Sequence, residues 1–559
     1  MPEAPENQST SPASRRRRVL GATALVASTT LLGGAFGPRL FAGPDATSPV
    51  IKEYSDILST ARAWYADDLP ADKLVYSSIQ GMLATLDPHT AFLEPEEYGA
   101  MQEKQRGSFY GLGIIISKRN GKITVITPVE GSPAYRLGIR AGDIIDKVEG
   151  QSIDDLAVDA VVKKLKGPKG TKVNITIVRP GLDEPLQMTV TRAAIPTNSI
   201  SYAFMLDDGT GYIRLKDFTH TSGSELNEAW SRLEKQGMKK LVFDLRGNPG
   251  GLLDQSIAVS DFFLQKGMKV VSTRGRTSGS EQSFSAPGKG TRAAIPVVVL
   301  VNKGSASASE IVSGALQDHD RAIIVGQTSW GKGLVQSVYT LTDNAGLALT
   351  SAKYYTPAGR CIQRDYHDVL EYLTPEEEEG IAGADAAVAN EKKEVFKTDT
   401  GRTVYGGGGI TPDVFVKGET LSRFAATLYA RGTFFEFAVQ YRSKHPDVPK
   451  DFRANDLVRE EFFKFVDSRP IPFDTKAREA YAKEKDPGFI DRAIAEEVLN
   501  AAHGRDAGYR VSLEGDTQLQ KAMSLFPEAE KLAQAYAARA GEQTAQKGPS
   551  LPKLVGGKD

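Results

Sequence analysis

The sequence predicts an α/β core with an inserted β-rich domain, a helical N-terminal segment and a helical C-terminal extension. Near-continuous apolar strands, KKLVFDLR at 239–246 and IPVVVLVN at 295–302, alternate with segments of helical spacing, which is typical of a buried, largely parallel sheet. Short β-rich runs separated by Gly, Pro and Asp turns fill residues 107–192. Apolar residues recur at helical spacing before residue 106 and beyond 419.

Shifts in composition place the boundaries of these parts. The predicted parts are a signal peptide or membrane anchor at 1–45, a helical segment at 46–106, the β-rich domain at 107–192, the α/β core at 193–418, a helical extension at 419–540 and a disordered tail at 541–559. Inside them we expect helices near 154–166, at 221–236, 252–265 and 306–318, and an acidic surface insertion at 370–395. A chain of 559 residues exceeds one ordinary domain, which agrees with several folded units.

The N-terminus has the pattern of an export signal. Four arginines at 15–18 precede the uncharged, small-residue and apolar stretch 19–38, which matches the basic and hydrophobic regions of a signal peptide. The stretch is also long enough to cross a bilayer as an uncleaved anchor, and consecutive arginines permit a twin-arginine signal. We therefore expect the body of the protein to be periplasmic or extracytoplasmic, either free or tethered to the inner membrane.

Composition argues against several classes of function. The formal charge is −1, from 69 basic and 70 acidic residues, so no basic surface for nucleic acid is indicated. The one cysteine, Cys361, can form neither an intrachain disulfide nor a thiolate metal site alone, and the six histidines form no HExxH motif. We predict no metal, no cofactor and no nucleic-acid partner.

The stretch VGQTSWGKGLVQ, residues 325–336, lies one residue away from a phosphate-binding loop. Gly326 and the pair Gly331-Lys332 fit the GxxxxGK spacing, but Gly333 stands where a hydroxyl would hold Mg²⁺. Residues 334–341 are β-branched and partly alternating, which predicts a strand where phosphate binding needs a helix. Lys332 therefore requires a different explanation.

A serine at a predicted helix start is the first candidate for chemistry. In NKGSASASEIVSGALQDHD, residues 302–320, Ser307 stands three residues before Glu310 and ahead of an apolar run. A capping box explains this spacing structurally. The same position also brings a hydroxyl close to free N–H groups and the positive end of the helix dipole, which stabilise an oxyanion. Both interpretations fit.

Lys332 is the candidate base for this serine. The chain has no GxSxG motif, and His319 lies at the far end of the predicted helix. A lysine acts as a base when burial keeps it neutral. Gly331 and Gly333 allow close backbone approach, and Gln336 shares one face of the predicted strand with Lys332, where it can hold the amine. A surface lysine and a ladder glutamine are the structural alternative.

A glycine-rich turn is the third segment. DLRGNPGG at 244–251 follows an apolar strand, and its N–H groups could complete an oxyanion hole, although a plain tight turn has the same residues. Together the three segments resemble the carboxy-terminal processing peptidases, or tail-specific proteases, of serine peptidase family S41. The resemblance spans 75–418 and includes LDPHTAFL at 86–93, YGLGI at 110–114, DLRGNPGG, NKGSASASEI at 302–311, GKGLVQ at 331–336, YYTPAGRCIQ at 354–363 and GGGGITPD at 406–413.

The resemblance implies a serine endopeptidase with an α/β peptidase core and a Ser-Lys dyad. By motif position it assigns the nucleophile Ser307, the general base Lys332, its positioning residue Gln336, and the oxyanion-hole amides of Ala308 and of Gly251 or Gly250.

The β-rich domain resembles a PDZ domain. Its GLGI matches the loop whose amides grip a peptide's terminal carboxylate, and GSPAYRLGIRAGDIIDKVEG follows at 131–150. The implied loop residues are Gly111, Leu112, Gly113 and Ile114. The implied partners are protein or peptide substrates bound by their C-termini. Some family members couple this domain to the active site through an Arg-Gly pair; here the pair is Lys166-Gly167, without a bidentate guanidinium.

Two other functions fit parts of the pattern. A non-catalytic PDZ adaptor could retain the peptidase fold. Ser329-Trp330-Gly331-Lys332 fits the SxxK of β-lactamase-like acyl transferases but lacks SDN and KTG partners. The helical extension adds a further expectation: amphipathic helices without a core of their own bury their apolar faces on partners, which predicts a homo-oligomer.

Overall fold

The computed structural model describes residues 48–206, 209–292, 294–367, 372, 394–469, 478–479 and 488–546. The chain divides into one unit that ends at Met82 and a second that begins at Leu83. Among these described residues no helix combines the length and the apolar character needed to cross a membrane. The predicted signal or anchor, including 19–38, lies outside them.

Two helices form the described part of the first unit. They are α1 (Ser48–Trp64) and α2 (Ala71–Ala84), the second of which runs past the unit boundary. On α1, Ile51, Tyr54 and Ile57 recur at helical spacing and are exposed. The helical prediction is confirmed for these two stretches.

The next elements lead from the first helices into the second unit. They are β1 (Ala91–Leu93), α3 (Pro95–Arg106) and β2 (Ser108–Gly111). Glu94 and Glu97 close a capping box at the start of α3, and Gly107 ends the helix in a left-handed conformation at φ 69. β1 departs from the helical prediction for 46–106, because it pairs with a strand far along the chain.

The β-rich domain is a small sheet with two helices. Its elements are β3 (Ile114–Arg119), β4 (Lys122–Pro128), α4 (Pro133–Arg136), β5 (Ile144–Val148), β6 (Gln151–Ser152), α5 (Val158–Leu165), β7 (Lys172–Val178) and β8 (Leu186–Thr191). The sheet order is β3-β4-β5-β7-β8, with β6 on β5. The following strand, β9 (Ala193–Pro196), pairs antiparallel with β2. The chain therefore enters and leaves this domain at adjacent points, as an insertion does.

The α/β core follows. Its first elements are β10 (Ile200–Met205), β11 (Thr210–Leu215), α6 (Ser222–Lys235), β12 (Lys240–Asp244), α7 (Leu253–Asp261), β13 (Lys269–Arg274), β14 (Gln282–Ser285), β15 (Val297–Val301), α8 (Ala308–Asp318) and β16 (Ile323–Gly326). The helices agree with the predicted spans. On α6, Leu226, Ala229, Trp230 and Leu233 are spaced three or four apart and are all buried, as the helical period requires.

Two sheets organise the core. The remaining strands are β17 (Leu334–Thr340), β18 (Gly346–Tyr355), β19 (Val395–Lys397), β20 (Thr403–Tyr405) and β21 (Val414–Phe415). One sheet runs β10-β11-β12-β15-β16-β21; β10 and β11 are antiparallel, and the strands from β11 to β21 are parallel. The fully buried β15 pairs in parallel with β12 and β16, which confirms the predicted parallel sheet at this place. The second sheet is antiparallel, with order β1-β18-β13-β14 and β17 beside β18.

The C-terminal helices have a core within the chain. They are α9 (Arg423–Ala430), α10 (Thr433–Lys444), α11 (Asp456–Asp467), α12 (Gly488–His503), α13 (Arg505–Ser512), α14 (Thr517–Ser524) and α15 (Phe526–Gln546). Phe434 and Phe462 stack at 5.0 Å inside a buried apolar cluster of α9 to α13. Leu519 and Phe526 pack against the parallel sheet. The expectation of helices without their own core is wrong, and α15 continues past the predicted start of the tail at 541.

Candidate active site

Ser307 lies between strand β15 and helix α8 in an unusual backbone conformation. Its φ is 53 and its ψ −113, a region that costs a residue with a side chain on the order of 1–3 kcal/mol. Its N–H donates to Oε2 of Glu310 at 2.7 Å, and its carbonyl accepts from the N–H groups of Glu310 and Ile311. These bonds hold Ser307 where an isolated chain would not stay.

The three serines of SASAS have different surroundings. Ser305 is buried, and its hydroxyl donates to the carbonyl of Leu245 at 2.9 Å. Ser309 is also buried and donates to the carbonyl of Asn248 at 2.9 Å. Ser307 is half-buried. The flanking hydroxyls thus hold the glycine-rich turn to the helix, and of the three serines only Ser307 is not fully buried.

The carboxylate of Glu310 connects this loop to the lysine segment. Oε2 accepts from the N–H of Ser307 at 2.7 Å and from the N–H of Lys332 at 2.9 Å. Oε1 accepts from the N–H of Gly331 and the hydroxyl of Ser329, both at 2.6 Å. Glu310 is fully buried. Burial raises the pKa of its carboxyl above the ordinary value, although the four hydrogen bonds oppose the rise.

Lys332 lies just before β17, and its amine reaches Gln336. Nζ donates to Oε1 of Gln336 at 2.9 Å, and Nε2 of Gln336 donates to the carbonyl of His89. The strand begins at Leu334 and its register shifts after Val335. The expected pairing of lysine and glutamine is therefore present, but a bulged strand start produces it instead of a regular strand face.

The surroundings of Lys332 shift its amine toward the neutral form. Burial lowers the pKa of Lys332 below 10.5, while the charges of Asp87 and Glu310 act in the opposite direction. His89 is close by, and burial together with the positive charge of Lys332 lowers the pKa of His89 to about 4. The imidazole is therefore uncharged at neutral pH.

Glycines bring the lysine segment against neighbouring backbone. A Cβ on Gly333 would lie 2.7 Å from the nitrogen of Gln363, and one on Gly331 would lie 3.0 Å from the nitrogen of Gly409. Real Cβ atoms essentially never show the first distance, and the second is tighter than most real Cβ contacts. The segment leads into the strand β17, as the sequence predicts, and not into the helix that a phosphate-binding loop requires.

The glycine-rich turn packs on the start of α8. A Cβ on Gly250 would lie 2.7 Å from Cβ of Ser307 and 2.8 Å from the nitrogen of Ala308. The N–H of Gly250 donates to Oδ1 of Asn248 at 2.9 Å, within the turn. A Cβ on Gly251 would instead meet the carbonyl of Phe218. Of the two predicted glycines, Gly250 is therefore the one at which an added Cβ would meet the serine loop.

The predicted carboxylate loop belongs to the β-rich domain. Gly111 ends β2, Ile114 begins β3, and Leu112 and Gly113 connect them. Gly113 has φ +79, and its carbonyl accepts from the hydroxyl of Ser132 at 3.0 Å. A groove opens beside this loop, and its apolar lining includes Leu112, Ile114, Ile116, Val162 and Leu165. The groove runs between β3 and α5.

Lys166 follows the last residue of α5 and faces α3. Its amine forms an ion pair with Glu103 and lies 4.9 Å from the ring centre of Phe109. These partners lie on α3 and β2, the elements that lead into the β-rich domain.

Sequence reasoning missed part of the site. Asp87 accepts from the N–H groups of His89 and Thr90, which orders the turn that presents His89 to Gln336. These residues stand in LDPHTAFL, a motif to which the resemblance assigns no role. The sequence predicts for Glu310 only a place in a helix cap. The spacing of the two residues predicts the bond between Glu310 and Ser307. It cannot predict that the N–H of Lys332, 22 residues after Glu310, donates to the same oxygen.

Comparisons with known proteins agree with this architecture. Three family models match: peptidase family S41 at 209–370, PDZ domain at 124–179, and the C-terminal helical domain of a probable PDZ-protease at 424–488. The carboxy-terminal-processing protease of Bartonella bacilliformis is 41% identical over 317 residues, which cover 56% of this chain and 72% of that protein. The carboxyl-terminal-processing protease of a Synechocystis species is 40% identical over 302 residues, which cover 53% of this chain and 68% of that protein. The solved photosystem II D1 C-terminal processing protease is 28% identical, covers 65% of this chain and 92% of that one, and gives a TM-score of 0.34.

These findings define a serine peptidase that carries a PDZ domain and a C-terminal helical domain. The chain belongs to peptidase family S41, among the carboxy-terminal processing proteases. The predicted family is confirmed.

Proposed function

We propose that this protein is an exported serine endopeptidase that binds protein C-termini through its PDZ domain and cleaves nearby with a Ser307–Lys332 dyad. The observation that carries the proposal is the shared oxygen of Glu310, which joins the backbone of Ser307 to the backbone of Lys332. The hydrogen bond from Lys332 to Gln336 supports the role of Gln336 in directing the amine.

In the proposed mechanism, neutral Lys332 accepts the proton of the Ser307 hydroxyl as Oγ attacks the scissile carbonyl carbon. The C–O bond forms, and the carbonyl electrons move to the oxygen. When this tetrahedral intermediate collapses, the C–N bond breaks and the Lys332 ammonium returns the proton to the leaving amine. Water then attacks the acyl carbon while Lys332 accepts its proton. When this second intermediate collapses, the C–Oγ bond breaks, the carboxyl product leaves, and the Lys332 ammonium returns the proton to Oγ. The protein ends in its initial state, and one peptide bond is hydrolysed.

The amides of Ala308 and Gly251 are the proposed oxyanion donors. Ala308 begins α8, so its N–H has no partner within the helix and lies at the positive end of the dipole. In the turn, the N–H of Gly250 is already committed to Asn248. This favours Gly251 over Gly250 as the second donor, whereas Gly250 acts by its close packing on Ser307.

The PDZ loop is the proposed recognition site. Amides of the segment Gly111, Leu112, Gly113 and Ile114 would hold a terminal carboxylate, and the apolar groove beside them would take the side chains that precede it. Lys166 is proposed to hold the domain through Glu103. The domain boundaries at 107–192 and 193–418 remain part of this proposal.

Export is proposed from the arginines at 15–18 and the uncharged stretch 19–38. A tether through 19–38 and a homo-oligomer through the C-terminal helices stay predictions. The buried core of α9 to α13 removes the argument on which the oligomer was based.

A fluorophosphonate probe tests the proposed nucleophile. Intact protein should be labelled, and Ser307→Ala should not, because the probe bonds only to an activated serine. Ser313→Ala is the matched control, since it removes a hydroxyl on the same helix that donates within the helix to the carbonyl of Ser309. Labelling that survives Ser307→Ala, or an absence of labelling in the intact protein, would favour a non-catalytic adaptor or a different serine.

A further inference from the structure

The C-terminal helices reach the base of the glycine-rich turn through Arg246. NH1 of this arginine donates to Oδ1 of Asp516 at 3.0 Å and to Oε1 of Gln518 at 2.9 Å. NH2 lies 2.6 Å from Oδ2 of Asp516. The other edge of the guanidinium bonds Asp244, the last residue of β12. The arginine is therefore clamped between the parallel sheet and the start of α14.

Arg246 leads directly into the turn that packs on Ser307. The N–H of Gly247 donates to Oδ1 of Asn302, at the end of β15, at 2.8 Å. The carbonyl of Asn248 accepts from the N–H of Ala306 at 3.0 Å and from the hydroxyl of Ser309 at 2.9 Å. A shift of Arg246 would thus be passed to the loop that carries Ser307, because the intervening residues are bonded to it at three places.

The acceptors on the helical side are themselves well anchored. Oδ1 of Asp516 caps α14 by accepting from the N–H of Leu519 at 2.9 Å. Nε2 of Gln518 donates to the carbonyl of Val416, just after β21, at 2.8 Å. Leu519 and Ala522 of α14 are buried against the parallel sheet. The acceptors therefore present a fixed surface to the guanidinium.

We infer that Asp516 and Gln518 are positioning residues for the oxyanion turn, so that helix α14 of the C-terminal extension contributes to the geometry of the peptidase site. This inference rests on the proposed function. A multiply bonded guanidinium fixes direction as well as distance, and errors of about 1 Å in a catalytic group can cost about a hundredfold in rate. Helix α14 then acts on catalysis without touching the substrate.

The test uses the full chain with Asp516→Ser. Serine keeps the helix cap but is too short to hold Arg246. We expect kcat to fall about tenfold or more, KM to stay within about twofold, and affinity for a peptide aldehyde to fall in parallel with kcat. The aldehyde carbon bonds to the serine oxygen, and its own oxygen occupies the oxyanion hole. Hydrogen exchange of peptide 244–252 should also become faster.

Glu514→Gln is the matched control, because Glu514 lies in the same segment and pairs with Arg453 on the surface. It should leave all four readouts unchanged. Gln518→Ala is the second variant, and it should change kcat, aldehyde affinity and hydrogen exchange in the same direction as Asp516→Ser. If Asp516→Ser does not fold, Gln518→Ala alone tests the inference.

Wild-type values in the Asp516→Ser and Gln518→Ala variants would overturn the inference. Equal losses in Glu514→Gln would also overturn it, since the effect would then be general destabilisation. If intact protein shows no Ser307-dependent turnover, the proposed function fails, while the exchange of peptide 244–252 still decides whether α14 holds the turn.

Discussion

The backbone N–H groups of Ser307 and Lys332 donate to one oxygen of Glu310, at 2.7 and 2.9 Å. The serine and the lysine stand 25 residues apart in sequence, on different elements. A buried carboxylate between them fixes their separation more firmly than either loop could alone, because each of its oxygens has two donors. The helix cap and the assembly of the candidate site are therefore one structural feature.

Glu310→Gln should damage both stability and activity. The amide replaces one acceptor oxygen with an NH₂ group, which would face two N–H or O–H donors. Leaving buried donors without a partner costs about 1–3 kcal/mol, and displacement of Lys332 should lower kcat by about a hundredfold. Urea unfolding and steady-state kinetics measure the two effects.

Ser313→Ala is the control for Glu310→Gln. Ser313 is buried on the same helix, and its hydroxyl donates to the carbonyl of Ser309, away from the lysine segment. Ser313→Ala should change the free energy of unfolding by about 1 kcal/mol or less and leave kcat near the wild-type value. Full activity in Glu310→Gln would show that the shared oxygen does not set the geometry.

Gly250→Ala should strongly lower kcat, because the added Cβ would clash with the loop that carries Ser307. The new Cβ would lie 2.7 Å from Cβ of Ser307 and 2.8 Å from the nitrogen of Ala308. Either the turn or the serine loop must move, and we expect kcat to fall about a hundredfold. Steady-state kinetics at saturating peptide measures the loss.

Gly247→Ala separates contact from backbone strain in this experiment. Gly247 also has a positive φ, of 69, but a Cβ there meets nothing within 4 Å. Both alanines share a left-handed penalty of about 1–2 kcal/mol. If the two variants lose activity equally, packing of Gly250 on Ser307 is not the cause.

Peptides with a free C-terminus should be cleaved more efficiently than the same peptides with an amidated end. Hydrogen bonds to a charged group are each worth about 1.5–3 kcal/mol, so amidation should raise KM by about tenfold or more. Val162→Asp, which puts a charge into the groove beside Leu165, should raise KM in the same direction.

The neighbouring Lys163→Ala is the control for the groove, because Lys163 pairs with Glu96 and both side chains are exposed. It should leave KM nearly unchanged, since surface pairs contribute about 1 kcal/mol at most. Equal efficiency for free and amidated peptides would remove carboxylate capture from the proposed function.

The parallel sheet was predictable because its strands are continuous apolar runs. All of Val297–Val301 is buried, and only a central strand needs such a sequence. The second sheet was harder to predict. Strand β17 has exposed residues toward its end. Its relation to β1 depends on β18, which pairs both with the neighbouring β17 and with the distant β1, where Ala91 lies opposite Ala348. Local patterns carry no information about such distant partners.

The site was predictable in its residues and less so in its connections. Motif spacing identified Ser307 and Lys332 but could not show that Ser305 and Ser309 bind backbone carbonyls, because those carbonyls belong to a separate segment. In the C-terminal extension, amphipathic spacing identified helices. It could not tell whether their apolar faces meet one another or another chain, and they meet one another.

The pH dependence of turnover distinguishes a lysine base from a histidine base. Only the neutral amine accepts a proton, so activity should rise as pH increases through the pKa of Lys332. Burial lowers this pKa below 10.5. The midpoint of the rising limb of kcat/KM against pH, here called the basic limb, should lie well above the ~6.5 of a free imidazole. Lys332→Ala and Lys332→Arg should both be inactive, because a guanidinium stays protonated at any workable pH.

His89 is the strictest control for this limb, since it lies near Lys332 and its pKa is lowered to about 4. It is neutral throughout the working range and holds Gln336 only through its backbone carbonyl. His89→Asn should therefore leave the midpoint of the basic limb in place even if the rate falls with the loss of the Tyr372 contact. Replacing each other histidine should also preserve the limb. Loss of the limb in a histidine variant, with substantial activity in Lys332→Ala, would refute the Ser-Lys mechanism.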